Sequence, residues 1–239
     1  MKLRTAGIDI GGTKIRWVIL DGRHRVIRAR EIKTPARRGR FLRSFHDILE
    51  DLRKRGVERI GIGVAGVVRG TTLKKAANLR GLASLDFRRA APDLSIRVDN
   101  DAKCFARAEV RLGAGRRSKR MFAVIIGTGI GRAFAVGGRV VPVEQFESPE
   151  PWEAIYQKRK FGAARPLAKF LAEELLPIAA RFDPDVLVLG GGRMREKGFF
   201  RSLRRELQAA GLSCSIRRSR LRQNGPAIGA ALLMERVRP

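Results

Sequence analysis

Glycine, threonine, lysine and an acid fall together at Gly7-x-Asp9-x-Gly11-Gly12-Thr13-Lys14, a set suited to holding phosphate. Glycine lets backbone N–H groups converge on an anion, while Thr13 and Lys14 add a hydroxyl and a positive charge. Asp9, just ahead of the glycine pair, can hold a hydrated Mg2+. The same residues superficially match a Walker A loop, but that motif needs Lys before Ser/Thr and a helix after it. Here the order is Thr-Lys, and Ile15-Arg16-Trp17-Val18-Ile19-Leu20 reads as a strand. A second decoy is Gly61-x-Gly63-x-x-Gly66, with Asp86 where a dinucleotide fingerprint has its ribose-binding acid. It too runs on into a strand signal, Val67-Val68-Arg69, so no helix N-terminus faces a pyrophosphate.

Two more glycine clusters complete the set. Gly127-Thr128-Gly129-Ile130-Gly131 joins two strand-like runs, and Gly190-Gly191-Gly192 ends the run Val186–Leu189 ahead of a helical segment. Each alone is explained by an ordinary hairpin or loop. Paired turns at equivalent positions suggest one phosphate chain gripped twice.

The elements that position these residues follow from hydrophobic periodicity. Thr5–Ile10, Ile15–Leu20 and Arg25–Arg30 are β-prone runs separated by turn residues, which predicts an antiparallel meander. Phe41, Phe45, Ile48, Leu49 and Leu52 fall at helical spacing, Gly56 supplies a stop, and Arg59–Val64 is a further strand. A looser copy follows, with strands Phe122–Ile126, Gly131–Val136 and Arg139–Val141. Then come a helix through Leu167, Phe170, Leu171, Leu175 and Ile178, and a strand Asp185–Leu189. Between the copies a helix begins near Asp101, with Phe105, Ala108, Glu109 and Leu112 along one side; Asp99, Asn100 and Asp101 are all competent N-caps. The pattern predicts two lobes of one design, residues 1–98 with 225–239 packing back on them, and residues 99–224.

Bulk composition narrows the class. A chain of 239 residues, 44% apolar, can bury a substantial core. No run approaches the ~18 apolar residues of a membrane helix. Cys104 and Cys214 stand alone, which argues neither a disulfide framework nor a zinc cluster and fits a reducing cytoplasm. Lys and Arg number 51 against 23 acids, a net charge of +28. The surplus clusters at Arg37-Arg38-Gly39-Arg40, Arg116–Arg120, Lys158-Arg159-Lys160 and Arg217–Arg220. Such a field attracts polyanions, although a solvated basic surface would look the same. With only 6% aromatic residues the clusters lack stacking partners for single strands, so nucleic acid is not favoured; contact with a duplex backbone is the mode left open.

Taken in order, Asp9-Ile10-Gly11-Gly12-Thr13-Lys14, Asn100-Asp101-Ala102 with Glu109, Gly127–Gly131, Gly190–Gly192 and Gly225-Pro226-Ala227-Ile228-Gly229-Ala230-Ala231 resemble the ROK family of sugar kinases. Within it, "TTLKKAANLRG", "GTGIGRAFAVGGRVVP" and "LRQNGPAIGAAL" are most similar to polyphosphate/ATP-dependent glucokinases. The resemblance implies an α/β protein with the two-lobed actin-like ATPase (ribonuclease H-like) fold, mixed sheets and an interlobe cleft. It implies a kinase that moves a phosphoryl group from ATP or polyphosphate to a hexose hydroxyl, with Mg2+ and as a homodimer. Asp101 matches the catalytic base. Gly66, Asn78 and Asn100 match sugar-binding positions, Gly11, Gly12, Thr13, Lys14, Gly127, Thr128 and Gly129 the phosphate turns, and Gly190, Gly191 and Gly192 the adenosine side.

The chain departs from the family after the second turn. Members carry a Gly-Glu-x-Gly-His-like segment there, and many add a cysteine-rich zinc loop. Residues 141–150 contain neither His nor Cys, so no zinc is expected and Glu144 or Glu147 is left as the sugar-binding acid. His24 and His46 read as surface residues. The alternative is a non-catalytic or altered-specificity relative that binds a ligand or a polyanion. ROK-type repressors carry an N-terminal helix-turn-helix, for which the ten residues before the first turn leave no room.

Overall fold

The computed structural model describes residues 4–158 and 163–235; Arg159 and Lys160 of the third basic cluster, and residues 236–239 of the predicted C-terminal return, lie outside them. Strands β1 (Thr5–Ile10), β2 (Lys14–Leu20) and β3 (Val26–Lys33) form the expected antiparallel meander. Asp21 shapes its second turn, accepting hydrogen bonds from the backbone N–H of Arg23 (2.8 Å) and Arg25 (2.9 Å). Helix α1 (Arg38–Arg53) buries Phe41, Phe45, Ile48, Leu49 and Leu52, the stripe its 3.6-residue period requires. Strand β4 (Arg59–Val64) then runs parallel to β1. A small antiparallel sheet of β5 (Val67–Arg69), β6 (Thr72–Lys75) and β7 (Leu85–Asp86) precedes β8 (Ser95–Asn100), which is parallel to β4. The main sheet has the order β3-β2-β1-β4-β8.

Helix α2 (Asp101–Leu112) leads onward, and the chain divides within it into two compact units, residues 1–108 with 224–239, and residues 109–223. The second unit holds the meander β9 (Arg120–Ile126), β10 (Ile130–Val136) and β11 (Arg139–Val141). Helices α3 (Pro151–Lys158) and α4 (Ala164–Phe182) follow, then β12 (Val186–Gly190), α5 (Phe199–Ala209) and β13 (Ser215–Arg218). Its sheet order, β11-β10-β9-β12-β13, repeats that of the first: an antiparallel meander extended by two parallel strands. Each unit has its own core, one built on Phe41, Phe45 and Phe87, the other on Phe122, Leu171 and Phe199. Among the described residues no helix is long and apolar enough to cross a membrane.

The chain returns to the first unit through α6 (Gly225–Leu232). This helix lies backbone-first on the sheet. A Cβ at Gly7 would stand 1.8 Å from the Ala227 carbonyl oxygen, and one at Gly61 would stand 1.7 Å from that of Ala230. On its other side Gly229 abuts α2, where a Cβ would meet the Cys104 carbonyl oxygen at 1.6 Å.

The residue pattern does not announce β6, β7, β8, α3, α6 or β13. Strands β6, β7 and β13 have only two to four residues, too few for alternation to register. Strand β3 also starts one residue later and runs three residues further than expected, because pairing with β2 continues to Lys14 opposite Lys33.

Gly61→Ala forces α6 off the sheet and is expected to lower unfolding free energy by about 3 kcal/mol or more, as overpacking of a tight interface does. Gly39→Ala is the contrast, since Gly39 lies in α1 with open space around its would-be Cβ. It gains about 0.5–1 kcal/mol from helix propensity. Guanidinium unfolding of both variants checks the pair.

Candidate active site

Asp9 is the penultimate residue of β1, opposite Arg16 of β2 and half-buried near the first glycine turn. The turn is tight: Gly11 N–H donates to the Lys14 carbonyl at 3.0 Å, Thr34 N–H to the Thr13 carbonyl at 2.9 Å, and the Thr34 hydroxyl to the Gly11 carbonyl at 2.6 Å. Thr34 therefore clamps the turn from the strand-end side. Gly12 is pressed against Asn78, whose Cβ would lie 2.7 Å from a Cβ at Gly12. A concavity of about 310 Å³ lies here, with Gly12, Thr34, Asn78 and Leu82 in its wall. The predicted phosphate turn and the predicted sugar ligand Asn78 are thus neighbours.

The cations nearest this turn are already engaged. Glu31 of β3 pairs with both Lys14 (2.6 Å) and Arg16, and Arg16 Nη1 also donates to Asn224 Oδ1 at 3.1 Å. The hydrogen bond from Lys14 is the main reason the Glu31 carboxyl lies below its ordinary range. Asp9 behaves oppositely. Burial, followed by the nearby Asp101 charge, pushes its carboxyl well above the usual value, with Arg16 opposing.

At the start of α2 the three candidate caps divide their roles. Asn100 is the cap: its Oδ1 accepts from Ala102 N–H (2.9 Å) and Lys103 N–H (3.2 Å). Its amide nitrogen donates to the Gly66 carbonyl at 3.1 Å, which leaves one amide N–H for a ligand. Asp99 pairs with Arg107 at 2.7 Å. Asp101 accepts from backbone N–H groups, that of Ala102 (2.9 Å) and its own, and has no cationic partner among the described residues. Burial raises its carboxyl from 3.8 to about 6, against the pull of that backbone hydrogen bond. Gly66 is required where it stands: its φ is +154°, and a Cβ would lie 2.2 Å from the Lys75 carbonyl oxygen. Gly66 is thus held by Asn100, and Asn100 and Asp101 share the Ala102 N–H.

In the second unit the turn 127–129 is closed by Gly127 N–H donating to the Gly129 carbonyl at 3.0 Å. Gly191, at φ +96°, fits against the end of β9, where a Cβ would come within 2.4 Å of the Ile126 carbonyl oxygen. The loop 190–192 is thereby seated beside the second glycine turn. Glu144 is exposed in a short 3-10 helix, 144–146. That segment is organised instead around Arg132, buried between the rings of Phe146 (5.2 Å) and Trp152 (5.7 Å). Its guanidinium pairs with Glu153 at 2.6 Å and Glu150 at 3.3 Å.

Sequence reasoning missed Arg16, Glu31, Thr34 and Asn224 around the first turn, and Arg132 in the second unit. A signal existed for the arginines, since each interrupts an otherwise apolar strand. Thr34 and Asn224 act through backbone geometry or long-range contacts, which spacing does not encode.

The repeated sheets, each flanked by helices, define the actin-like ATPase fold, and solved structures agree over nearly the whole chain. A ROK family glucokinase from Streptomyces griseus, solved with glucose and AMPPNP, superposes with a TM-score of 0.82 at 21% identity, covering 97% of this chain and 99% of that one. The inorganic polyphosphate/ATP-glucomannokinase of Arthrobacter sp. strain KM gives 0.78 at 23% identity, covering 97% and 98%. Residues 5–142, more than half of the chain, match the pattern of the ROK family, and the chain belongs to that family. The N-acetylgalactosamine kinase AgaK of Shewanella sp. (strain ANA-3) is 32% identical over 143 residues, which are 56% of this chain and 46% of that protein. The chain spans about half the length of the curated relatives it matches.

Two outcomes follow from these charges. Because folding raises the Asp101 pKa, the folded chain holds that proton more tightly than the unfolded chain. The resulting stabilisation is full below about 3.8 and is lost as pH rises through about 6. Asp101→Asn is therefore expected to stabilise the protein by about 1–2 kcal/mol at pH 8 and by little at pH 4, read by chemical unfolding at both pH values. Arg132→Met leaves Glu153 buried without its partner and is expected to cost about 3–5 kcal/mol, read by the same method.

Proposed function

We propose that this chain is a sugar kinase that transfers a phosphoryl group from ATP or polyphosphate to a sugar hydroxyl, with Asp101 as the base. The observation that carries the reading is Asp101 itself. It is a half-buried carboxyl raised to about 6, with capping left to Asn100 and ion pairing to Asp99. A group with that pKa is largely ionised at neutral pH and still basic enough to accept a proton as the hydroxyl oxygen attacks. In the step, the hydroxyl proton passes to Asp101 and the oxygen bonds to the terminal phosphorus. The bond from that phosphorus to the donor's bridging oxygen breaks, releasing ADP or a shortened polyphosphate. Most of the rate enhancement in such transfers comes from positioning and electrostatics.

The donor's phosphates fall to Gly11, Gly12, Thr13 and Lys14 and to Gly127, Thr128 and Gly129, and the adenosine side to Gly190, Gly191 and Gly192. Gly66, Asn78, the remaining N–H of Asn100, and Glu144 serve the sugar. Asp9 fits a Mg2+ held through water. Among the described residues no three His, Cys, Asp or Glu converge as direct ligands. One carboxylate with waters and substrate phosphates is a set that suits Mg2+. When bound, the ion supplies charge neutralisation on the transferring phosphates. Acceptors of both kinds named for the relatives, a hexose and an N-acetylhexosamine, belong in the trial.

A second reading, a ligand-binding relative without transfer, is favoured by the segment 141–150, which offers the exposed Glu144 and no histidine. The deciding experiment is transfer from ATP and from polyphosphate, with Mg2+, to a panel of hexoses and N-acetylhexosamines. The expected result is phosphorylation of at least one sugar, with kcat lowered by about 10²–10⁴ in Asp101→Asn while donor binding persists. An unchanged rate in the variant contradicts Asp101 as base. Donor binding without transfer to any sugar selects the second reading.

A further inference from the structure

Two glycine loops of the second unit meet at one side chain. Tyr156, the only tyrosine of the chain, is buried on α3 with 4% of its surface exposed. Its hydroxyl donates to the Gly127 carbonyl and accepts from Arg193 Nε at 3.4 Å. Arg193 follows the loop Gly190–Gly192 directly, and its Nη1 pairs with Glu196 at 2.7 Å. Burial pushes the Tyr156 hydroxyl above its ordinary range, with Arg193 opposing, so it stays protonated and donating at neutral pH.

This geometry does more than fill space. A peptide unit is planar and trans, so holding the Gly127 carbonyl toward Tyr156 turns the N–H of Thr128 to the opposite side. The hydroxyl thereby sets the orientation of a backbone group in the turn. Arg193 is tied through Nε and Nη1, and its Nη2 has no partner among the described residues. Its ion pair with Glu196 is exposed, with side chains 41% and 45% accessible, and such pairs contribute little to stability. A guanidinium in that state can take an anionic oxygen at small cost, and its planar fork matches phosphate.

We propose that Tyr156 and Arg193 are a donor-positioning pair, in which Tyr156 orients the turn 127–129 and Arg193 binds a phosphate oxygen of the nucleoside triphosphate or polyphosphate. The proposal rests on the kinase reading and adds two residues that no glycine motif indicates. It predicts that donor and acceptor respond separately. Tyr156→Phe keeps the ring in its packing and removes only the hydroxyl.

The experiment is calorimetric titration of Mg-ATP and of polyphosphate into the wild type, Tyr156→Phe, Arg193→Gln and Arg193→Lys, with steady-state constants for donor and acceptor beside it. Arg193→Gln is expected to weaken donor binding and raise donor KM about 10-fold or more, with acceptor KM within about twofold. Arg193→Lys recovers part of the loss. Tyr156→Phe weakens donor binding about 3- to 10-fold in a variant that remains folded at the assay temperature, and the double variant loses less than the product of the two single effects. Donor binding within about twofold of wild type in both Tyr156→Phe and Arg193→Gln overturns the pair. If the wild type binds donor but phosphorylates no sugar, the kinase reading fails and the binding arm alone decides the pair. A wild type that binds neither donor overturns both.

Discussion

In the first unit the backbone of α6 rests on the backbone of β1 and β4, with no side chain between them at Gly7 and Gly61. A methyl group at either position would overlap a helix carbonyl, so the separation of helix and sheet is held at its minimum. Gly229 brings the same helix against Cys104 of α2, and Gly63 brings β4 within 3.6 Å of the Asp101 Cα, both measured from would-be Cβ atoms. Asp9 lies next to the end of β1 and Asp101 begins α2. The close block of β1, β4, α2 and α6 is what places these two carboxyls near enough for the charge of Asp101 to raise Asp9.

Charge is sorted around that block in an unexpected way. The chain carries a net +28, yet neither Asp9 nor Asp101 has an ion-pair partner among the described residues. Glu31 takes Lys14 and Arg16, and Asp99 takes Arg107. Arg16, the cation opposite Asp9, is paired with Glu31 and only partly offsets the burial of Asp9. The result is a pair of raised carboxyls suited to a hydrated divalent cation on one and a proton on the other.

Much of this was legible in the residues because it depends on backbone chemistry. The glycine turns, the meanders and the Phe41–Leu52 stripe all follow from local rules, and the ordered motifs carry the family likeness from Asp9 to Ala231. The rest depends on contacts far apart in the chain. Arg16 meets Asn224 across 208 positions, and nothing near either residue announces the other. Asn100 reads both as a cap and as a sugar ligand; three-dimensional hydrogen bonding shows that its oxygen caps α2 while its amide nitrogen holds Gly66 and keeps one N–H for a ligand. Between residues 141 and 153, where the family's usual Glu/His segment is missing, order comes from Arg132 reaching forward to Glu150 and Glu153, a node with no local pattern.

The central claim is that Asp101 acts as a proton-accepting carboxylate in phosphoryl transfer. The most direct measurement is kcat/KM for the sugar acceptor between pH 4.5 and 8.5, at saturating Mg2+ and donor. The account predicts a rising limb with an apparent pKa above the ordinary carboxylate range, set by the buried Asp101 carboxyl of the donor-bound enzyme before the acceptor binds. A profile that is flat through that window, in an enzyme shown to phosphorylate the sugar, would contradict it.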